Sequence, residues 1–557
     1  MQTVLFILPT ACVGLAAAVH ATAYLHGEAR RHQPRFWTFF VLTLAAMLGV
    51  VLSPDKLTFL LAWEAMGLAS AGLVAFENED RAARRATWIY LLACHAGACG
   101  LMLAGVALGR PDAAWAAFLC AVAGFGLKIG FPPFHVWLPE AHPAAPAPAS
   151  AVMSGAMIPL GFYGLWRFVL DPGTGFALTP GMCWVLLVLG AAGALGGILF
   201  ALPQANLKKL LAFSSVENMG VIGLGLGLAL LAQDVPGEIA ALAGAGAFVH
   251  VLNHAFLKGG LFLAAGSVLR QTGTLDQDRL GGLMKRMPFT GTLFTLNALG
   301  LAGLPPLNGF LGELLIYVAA FRAVKSGVPG LVGAGFLVLV VLSLTGGLAA
   351  AAYCKAIGAT FLGEPRTSAA ADAVETPRRM WGAQLFLFLL SCAMVPGTVV
   401  AAGRLSGGAA TRLLVDCAGV GCGVVVLTGA LILVRRLLCP RGAVKPVCPT
   451  WDCGYHAPTA RMAYTGTAFT QPLQDLFHAV LRARKHVIPF KGDQYAVADA
   501  ALVTETDDRT LAAFWRPVFT FVARLFQRAH LLQSGSLHLY ILLVLVALLI
   551  LLVLAFV

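Results

Sequence analysis

Apolar residues fall in blocks of about twenty, the length a helix needs to cross the hydrocarbon core of a bilayer, separated by short polar connections. The pattern predicts an all-α polytopic membrane protein of about fourteen spans. They lie near residues 3–24, 36–53, 57–76, 86–109, 114–130, 149–170, 182–202, 209–232, 238–268, 288–324, 331–361, 381–402, 413–438 and 537–557. The first reads as a retained helix, because its apolar run is too long for a signal-peptide core and no basic stretch precedes it. Two blocks are interrupted. Pro132–Pro133 follow the span at 114–130, and LPPLNG lies inside 288–324. Proline removes a backbone donor and disfavours helix before and after it. Irregular backbone at membrane depth is tolerated only where protein or water covers it.

Composition agrees with the pattern. The 557 residues are 59% hydrophobic and 11% charged, with mean hydropathy +0.82, whereas a soluble domain carries about 25% charged residues. The formal charge of +12 reads as topology rather than nucleic-acid binding. Basic residues cluster in alternate loops (Arg30, Arg31 and Arg35; Arg81, Arg84 and Arg85; Lys208 and Lys209; Arg279, Lys285 and Arg286; Arg366, Arg378 and Arg379; Arg435, Arg436 and Arg441). The loops between them, such as DPGTGFALTP and QDVPGE, carry none. With basic loops in the cytoplasm, both termini fall on the outer side of an inner (plasma) membrane. The chain then divides into N-terminal helices (1–54), a core (55–362), additional helices (363–439), a cytoplasmic amphipathic segment (440–535) and a last span (536–557). In the amphipathic segment, residues 473–490 and 511–532 have apolar positions at helical spacing among basic ones, predicting helices that lie on the membrane or a partner.

Most cysteines are single residues in apolar helices. No nucleotide loop, haem motif or iron–sulfur cysteine set occurs, so no cofactor is expected in this chain. Cys448, Cys453 and His456 are too few for a structural zinc site.

Ionisable groups inside spans are costly and mark function. Glu64, in LTFLLAWEAMGLASAGLVAF, sits too deep to snorkel. Lys128 precedes the first break; it is either a functional group beside that break or a lysine snorkelling from a helix end. Glu217 follows two serines, Ser214 and Ser215, which would alternatively cap a helix start; Lys208 and Lys209 read as loop charges. His250, His254 and Lys258 share one helix face at i, i+4, i+8 and are suited to passing protons. Zinc is the rival reading of the two histidines, but the lysine repels a cation and no carboxylate sits at ligand spacing, so no metal is predicted. Glu313 follows the second break. A charged group near a broken helix in each half points to an inverted-repeat transporter. His135, Glu140 and His142 are either proton-entry groups or interfacial polar residues.

The stretch LKIGFPPFHVWLPEAHPAAPAPASAVMSGAM is followed in order by NLKKLLAFSSVENMG, HVLNHAFLKGGLFLAAGSV and LPPLNGFLGE. Together they resemble the signature of the antiporter-like subunits shared by respiratory complex I, Mrp-type cation/proton antiporters and group 4 nickel–iron hydrogenases. The resemblance covers about residues 55–360. SSVEN, MSGAM and the tail TWDCGYHAPTARMAYTGTAFTQPL are most similar to the B-type subunit of hydrogenase-4 and formate hydrogenlyase. It implies two inverted five-helix repeats, each a half-channel, joined by a hydrated polar axis. Glu64 and Lys128 match the first half-channel's pair; their separation controls how firmly the lysine holds its proton. His250, His254 and Lys258 match the connecting or second-channel groups, and Glu313 the terminal acid; Glu217 is counted with them in the proton pathway. The sequence departs from the pattern in carrying Glu64 on its third span rather than the fifth. It also has Ser154 and Pro159 where many relatives place a histidine or lysine.

The reading is therefore a proton-translocating subunit of a hydrogenase-like or complex I-like oxidoreductase complex. Its partners would be other membrane subunits, a peripheral redox arm, the lipid bilayer and protons, possibly with Na⁺, and no nucleic acid. The alternatives are an Mrp-type Na⁺/H⁺ antiporter subunit and a degenerate scaffold that anchors a catalytic partner.

Overall fold

The computed structural model of the chain describes residues 2–26, 32–235, 237–405, 408–438, 462–491, 499–506 and 510–529, together with 542, 545 and 546. Helices dominate: α1 (Gln2–Tyr24), α2 (His32–Leu52), α3 (Lys56–Val74), α4 (Arg81–Ala107), α5 (Ala114–Ile129) and the short α6 (Leu138–Ala144). Next come α7 (Ala147–Leu170), α8 (Pro180–Ala201), α9 (Leu207–Leu231) and α10 (Ile239–Thr272). The half-length α11 (Pro288–Leu301) and α12 (Gly309–Val324) lead to α13 (Pro329–Phe361), α14 (Arg378–Leu405) and α15 (Ala409–Leu438). Among the described residues, twelve helical segments are long and apolar enough to cross a membrane. The span expected at 288–324 is two half-helices, and the span at 537–557 lies outside the described residues apart from three positions. Cys448, Cys453 and His456 also lie outside them.

Helix starts follow local capping chemistry. Asp55 accepts from the Thr58 amide at 2.8 Å, and Asn206 accepts from the Lys209 amide at 3.1 Å, each satisfying an orphan donor of the first turn. With Asn206 as the cap of α9, Ser214 and Ser215 sit two turns inside it; the cap reading of these serines is corrected. The two breaks are built alike. Gly130 (φ +85) and Gly303 (φ +67) adopt the left-handed conformation, and each is followed two residues later by a cis proline pair. The middle of the bundle packs α8, α9, α10, α12 and α13 on one apolar core. Helices approach closely through small residues, as is usual in membranes. At Gly197 an added Cβ would lie 2.3 Å from the Glu217 amide nitrogen, so only glycine lets α8 seat the backbone that carries Glu217.

The polar segment differs from its expectation. α16 (Gly466–Leu476) and a turn at His478–Leu481 end at Arg482, whose φ is +41. Residues 484–490, expected to be helical, form strand β1 (Arg484–Lys491), antiparallel to β2 (Asp499–Glu505) with Arg484 opposite Glu505. The reason is local: Val487 and Ile488 are β-branched, and Pro489 cannot sit in a helix interior. The C-terminal residues 507–557 form a separate unit. Within it, a π turn at Thr510–Trp515 leads into α17 (Arg516–Ala529), the helix expected over 511–532.

Candidate functional site

The first group of polar side chains lies between α3, α4, α5 and α6. Lys128 occupies the last turn of α5 and is 4% exposed, so it does not snorkel. Its ammonium donates to the Tyr90 hydroxyl at 3.2 Å and to Cys94 Sγ at 3.4 Å. It faces the rings of Tyr90, Trp63 and Trp137 at 5.2, 5.8 and 5.9 Å from their centroids. Three aromatic faces offer a cation its attraction without a formal counter-charge. The Tyr90 hydroxyl is also bonded to Ser70 at 2.6 Å. Glu64, the lysine's expected partner, turns instead to α4, where its Oε2 lies 3.0 Å from His95 Nδ1. Its other oxygen, Oε1, is buried with no hydrogen-bond partner. His95 escaped the sequence reading because a lone histidine in LLACHAGACG looks like any helix residue.

The second group is centred on α9 and α10. Glu217 Oε2 accepts from Ser214 Oγ at 3.1 Å and from Asn218 Nδ2 at 3.0 Å. Lys258 donates to the same Ser214 hydroxyl at 2.9 Å and to the Tyr353 hydroxyl of α13 at 3.3 Å. Ser214 and Tyr353 are themselves bonded at 2.6 Å. On the far side, Asn218 Oδ1 meets His250 Nε2 at 3.0 Å. Six polar side chains from three helices, Tyr353 included, thus link Lys258 to His250 through the Glu217 carboxylate. All are buried, and apart from His250 Nδ1, which has no partner, they satisfy one another.

His254 lies between His250 and Lys258 on α10, and both its ring nitrogens are buried without a partner. His142 of α6 stacks on Phe262, one turn beyond Lys258, with ring centroids 5.0 Å apart; both its nitrogens are likewise buried without a partner. His135 is buried beside Phe213. Glu140 is half-buried, and among the described residues no hydrogen bond or ion pair joins it to either group.

Glu313 sits in the first turns of α12, folded back on the break. An added Cβ on Gly303 would lie 2.7 Å from its Oε2. Glu217, Glu313 and Thr345 line one narrow crevice between α9, α12 and α13. Asn308 of the break is clasped to Asn253 of α10, its Nδ2 donating at 2.5 Å and its carbonyl accepting at 2.7 Å.

Ser154, standing where a titratable carrier was expected, is in the π turn of α7. Its hydroxyl is 2.8 Å from that of Ser215 on α9. Lys208 is not a loop charge. It is 1% exposed and donates to the Ala145 carbonyl at 2.7 Å, closing the end of α6. Lys355, unremarked in the sequence, is buried in α13 and donates to the carbonyls of Leu202 and Gln204 at 2.7 and 2.6 Å.

Fold and site together define a polytopic helical membrane protein whose interior carries a linked set of titratable groups beside two helix breaks. Residues 110–341 match the model of the NADH:quinone oxidoreductase/Mrp antiporter transmembrane family. The chain belongs to that family. It is 33% identical over 560 residues to hydrogenase-4 component B of Escherichia coli (strain K12), covering 92% of this chain and 82% of the relative. It is also 33% identical over 471 residues to formate hydrogenlyase subunit 3 of the same organism, covering 80% and 75%. A subunit of the membrane-bound sulfane sulfur reductase, an archaeal respiratory membrane complex, superposes with a TM-score of 0.73 at 23% identity, covering 99% of this chain and 88% of that one; this likeness is one of fold.

Proposed function

We propose that the chain is the proton-translocating membrane subunit of an energy-converting, hydrogenase-like oxidoreductase complex in the inner membrane, with both termini on the outer side. In this reading a peripheral redox arm supplies the energy, and the chain holds no cofactor of its own. The observation that carries it is the buried sequence Lys258–Ser214–Glu217, in which a hydroxyl accepts from an ammonium and donates to a carboxylate. A proton moves through it when Ser214 passes its own proton to Glu217 and takes one from Lys258. Nothing else about a membrane span calls for an ammonium and a carboxylate buried together, since breaking even one such partner is costly.

Coupling falls to Glu64. Held by His95, it leaves Lys128 to neutral and aromatic partners. Turned toward Lys128, it sets an opposite charge beside the ammonium and changes the lysine's hold on a proton. The test is redox-driven proton uptake by the assembled complex in proteoliposomes, with Lys258→Ala, Lys128→Ala and Glu64→Gln, measured with and without Na⁺. Loss of uptake in the lysine variants, independent of Na⁺, supports the proposal. Intact uptake in all three makes the chain a scaffold, and a strict Na⁺ requirement makes it an antiporter subunit of the Mrp kind.

A further inference from the structure

α10 carries a row of positions four residues apart: His254, Lys258, Phe262, Gly266 and Arg270. Successive positions at this spacing are neighbours about 6 Å apart along the axis, each turned about 40° from the last, so the row winds round α10. Beyond Lys258 the row offers no titratable side chain of its own until Arg270. Neighbouring helices fill the gap. His142 stacks on Phe262. One turn further, His20 of α1 lies against Gly266, where an added Cβ would be 3.3 Å from His20 Cε1 and 2.3 Å from the Ala147 Cβ of α7. Glycine at 266 is thus what admits the close approach of Ala147, and it leaves the imidazole seated against the row.

His20 is fully buried. Its Nε2 is 3.5 Å from Ser267 Oγ, which accepts from Gln384 Nε2 of α14 at 2.9 Å. Around it also lie the Leu263 backbone of α10, the Tyr24 ring at 5.7 Å and, on the next turn of α10, Arg270. Arg270 donates to the Tyr24 and His26 carbonyls at 2.5 and 3.1 Å and so ties the end of α1 to the row. Both helices run from this point into loops that carry basic residues, Arg30 and Arg31 on one side and Arg279, Lys285 and Arg286 on the other.

Five buried ring nitrogens along this line have no hydrogen-bond partner: Nδ1 of His20 and both nitrogens of His142 and of His254. Gln384 Oε1 beside them has none either. Buried polar atoms are nearly always satisfied by protein or ordered water, and three histidines in succession with five open positions have no packing explanation. We propose that His20 is the outermost relay of a proton-uptake file. In this file, water-bridged imidazoles of His20, His142 and His254 carry protons from the basic-loop side to Lys258. At each station one ring nitrogen takes a proton as the other releases one, so no net charge stays behind. The inference rests on the proposed proton-translocating function and adds the route by which the inner groups are loaded.

The test uses the assembled complex in proteoliposomes, with uptake normalised to complex present. Lys258→Ala reports on the function itself. His20→Asn keeps a polar group near Ser267 but cannot relay, and is expected to lower uptake on the order of 10²-fold, the low end for losing a positioned proton-transfer group, with an unchanged melting temperature. His20→Cys is expected to react with methanethiosulfonate ethylammonium added from the basic-loop side, above the labelling of the parent chain. If His20→Asn takes up protons normally while Lys258→Ala does not, the file is refuted and the function stands. A His20→Cys thiol inert from the basic-loop side refutes the water access. Normal uptake in Lys258→Ala removes the function on which both rest.

Discussion

Gly303→Ala separates the position of the Glu313 carboxylate from the stability of the break that holds it. Gly303 has φ +67, and its added Cβ would lie 2.7 Å from Glu313 Oε2, 3.2 Å from Cδ and 3.3 Å from Oε1. Two costs follow. A side chain in the left-handed region costs about 1–2 kcal/mol. In addition the carboxylate must retreat by roughly 0.6 Å to reach an ordinary carbon–oxygen contact of about 3.3 Å. Gly273, the C-cap of α10, supplies the matched control, because its φ is +66 and an added Cβ there meets nothing within 4 Å. Gly273→Ala therefore carries the strain alone. Both variants are expected to lose about 1–2 kcal/mol in thermal unfolding followed by tryptophan fluorescence. Only Gly303→Ala is expected to lose proton uptake, by about 10- to 100-fold, since a misplacement near 1 Å costs on the order of 10²-fold. Uptake is read from a pH-sensitive dye in proteoliposomes holding equal amounts of assembled complex. If the two variants keep equal uptake, the carboxylate's position is immaterial and Glu313 is not a carrier.

Ser154→Ala removes the hydroxyl bonded to Ser215; uptake is expected to fall about fivefold, the kinetic equivalent of one hydrogen bond of about 1 kcal/mol, with a loss of similar size in thermal unfolding. Lys355→Met keeps the apolar stem but leaves the carbonyls of Leu202 and Gln204 without their donor. The loss, read in the same unfolding assay, is expected to be about 2 kcal/mol, the scale of a charge-assisted bond. Asp55 sits outside the spans, and the Thr58 hydroxyl and amide hold its carboxyl below the usual carboxylate range. A depressed folded value means that its stabilisation is present above the unfolded value and disappears as pH falls through the folded one. Asp55→Ala is therefore expected to melt lower than the parent near neutral pH, with the gap closing below about pH 4.

The all-helical membrane class, the two breaks and the charged members of the site were legible because each depends on local chemistry: apolar runs, proline pairs, and ionisable groups where none belongs. The partners were not. Tyr90 and Tyr353 reach Lys128 and Lys258 from helices far away in sequence, and a tyrosine in an apolar span gives no signal of whose charge it will meet. His95 and His20 were missed for the same reason. Lys208 misled because the turn it begins stands beside a loop in sequence, yet tertiary packing of α6 covers it. The strand at 484–491 misled in the opposite sense: apolar spacing suited a helix, and the β-branched pair with Pro489 decided otherwise.

The hydrogen-bond directions also sort the second group into conducting and supporting members. Ser214 can donate to Glu217 while accepting from Lys258, and a hydroxyl exchanges those roles by turning once. Asn218 cannot. Its amide donates to the Ser214 carbonyl and to Glu217, and its oxygen faces His250 Nε2, so that nitrogen carries the hydrogen. An amide has no proton to hand on near neutral pH, which leaves Asn218 as a brace between carboxylate and imidazole. Under the proposed function a proton that reaches Glu217 therefore does not continue to His250. The other opening from Glu217 is the crevice shared with Thr345 and Glu313, at the foot of the second break. The route turns there toward α12, and His250 stands beside it, fixing Asn218 and through it the carboxylate that the lysine loads.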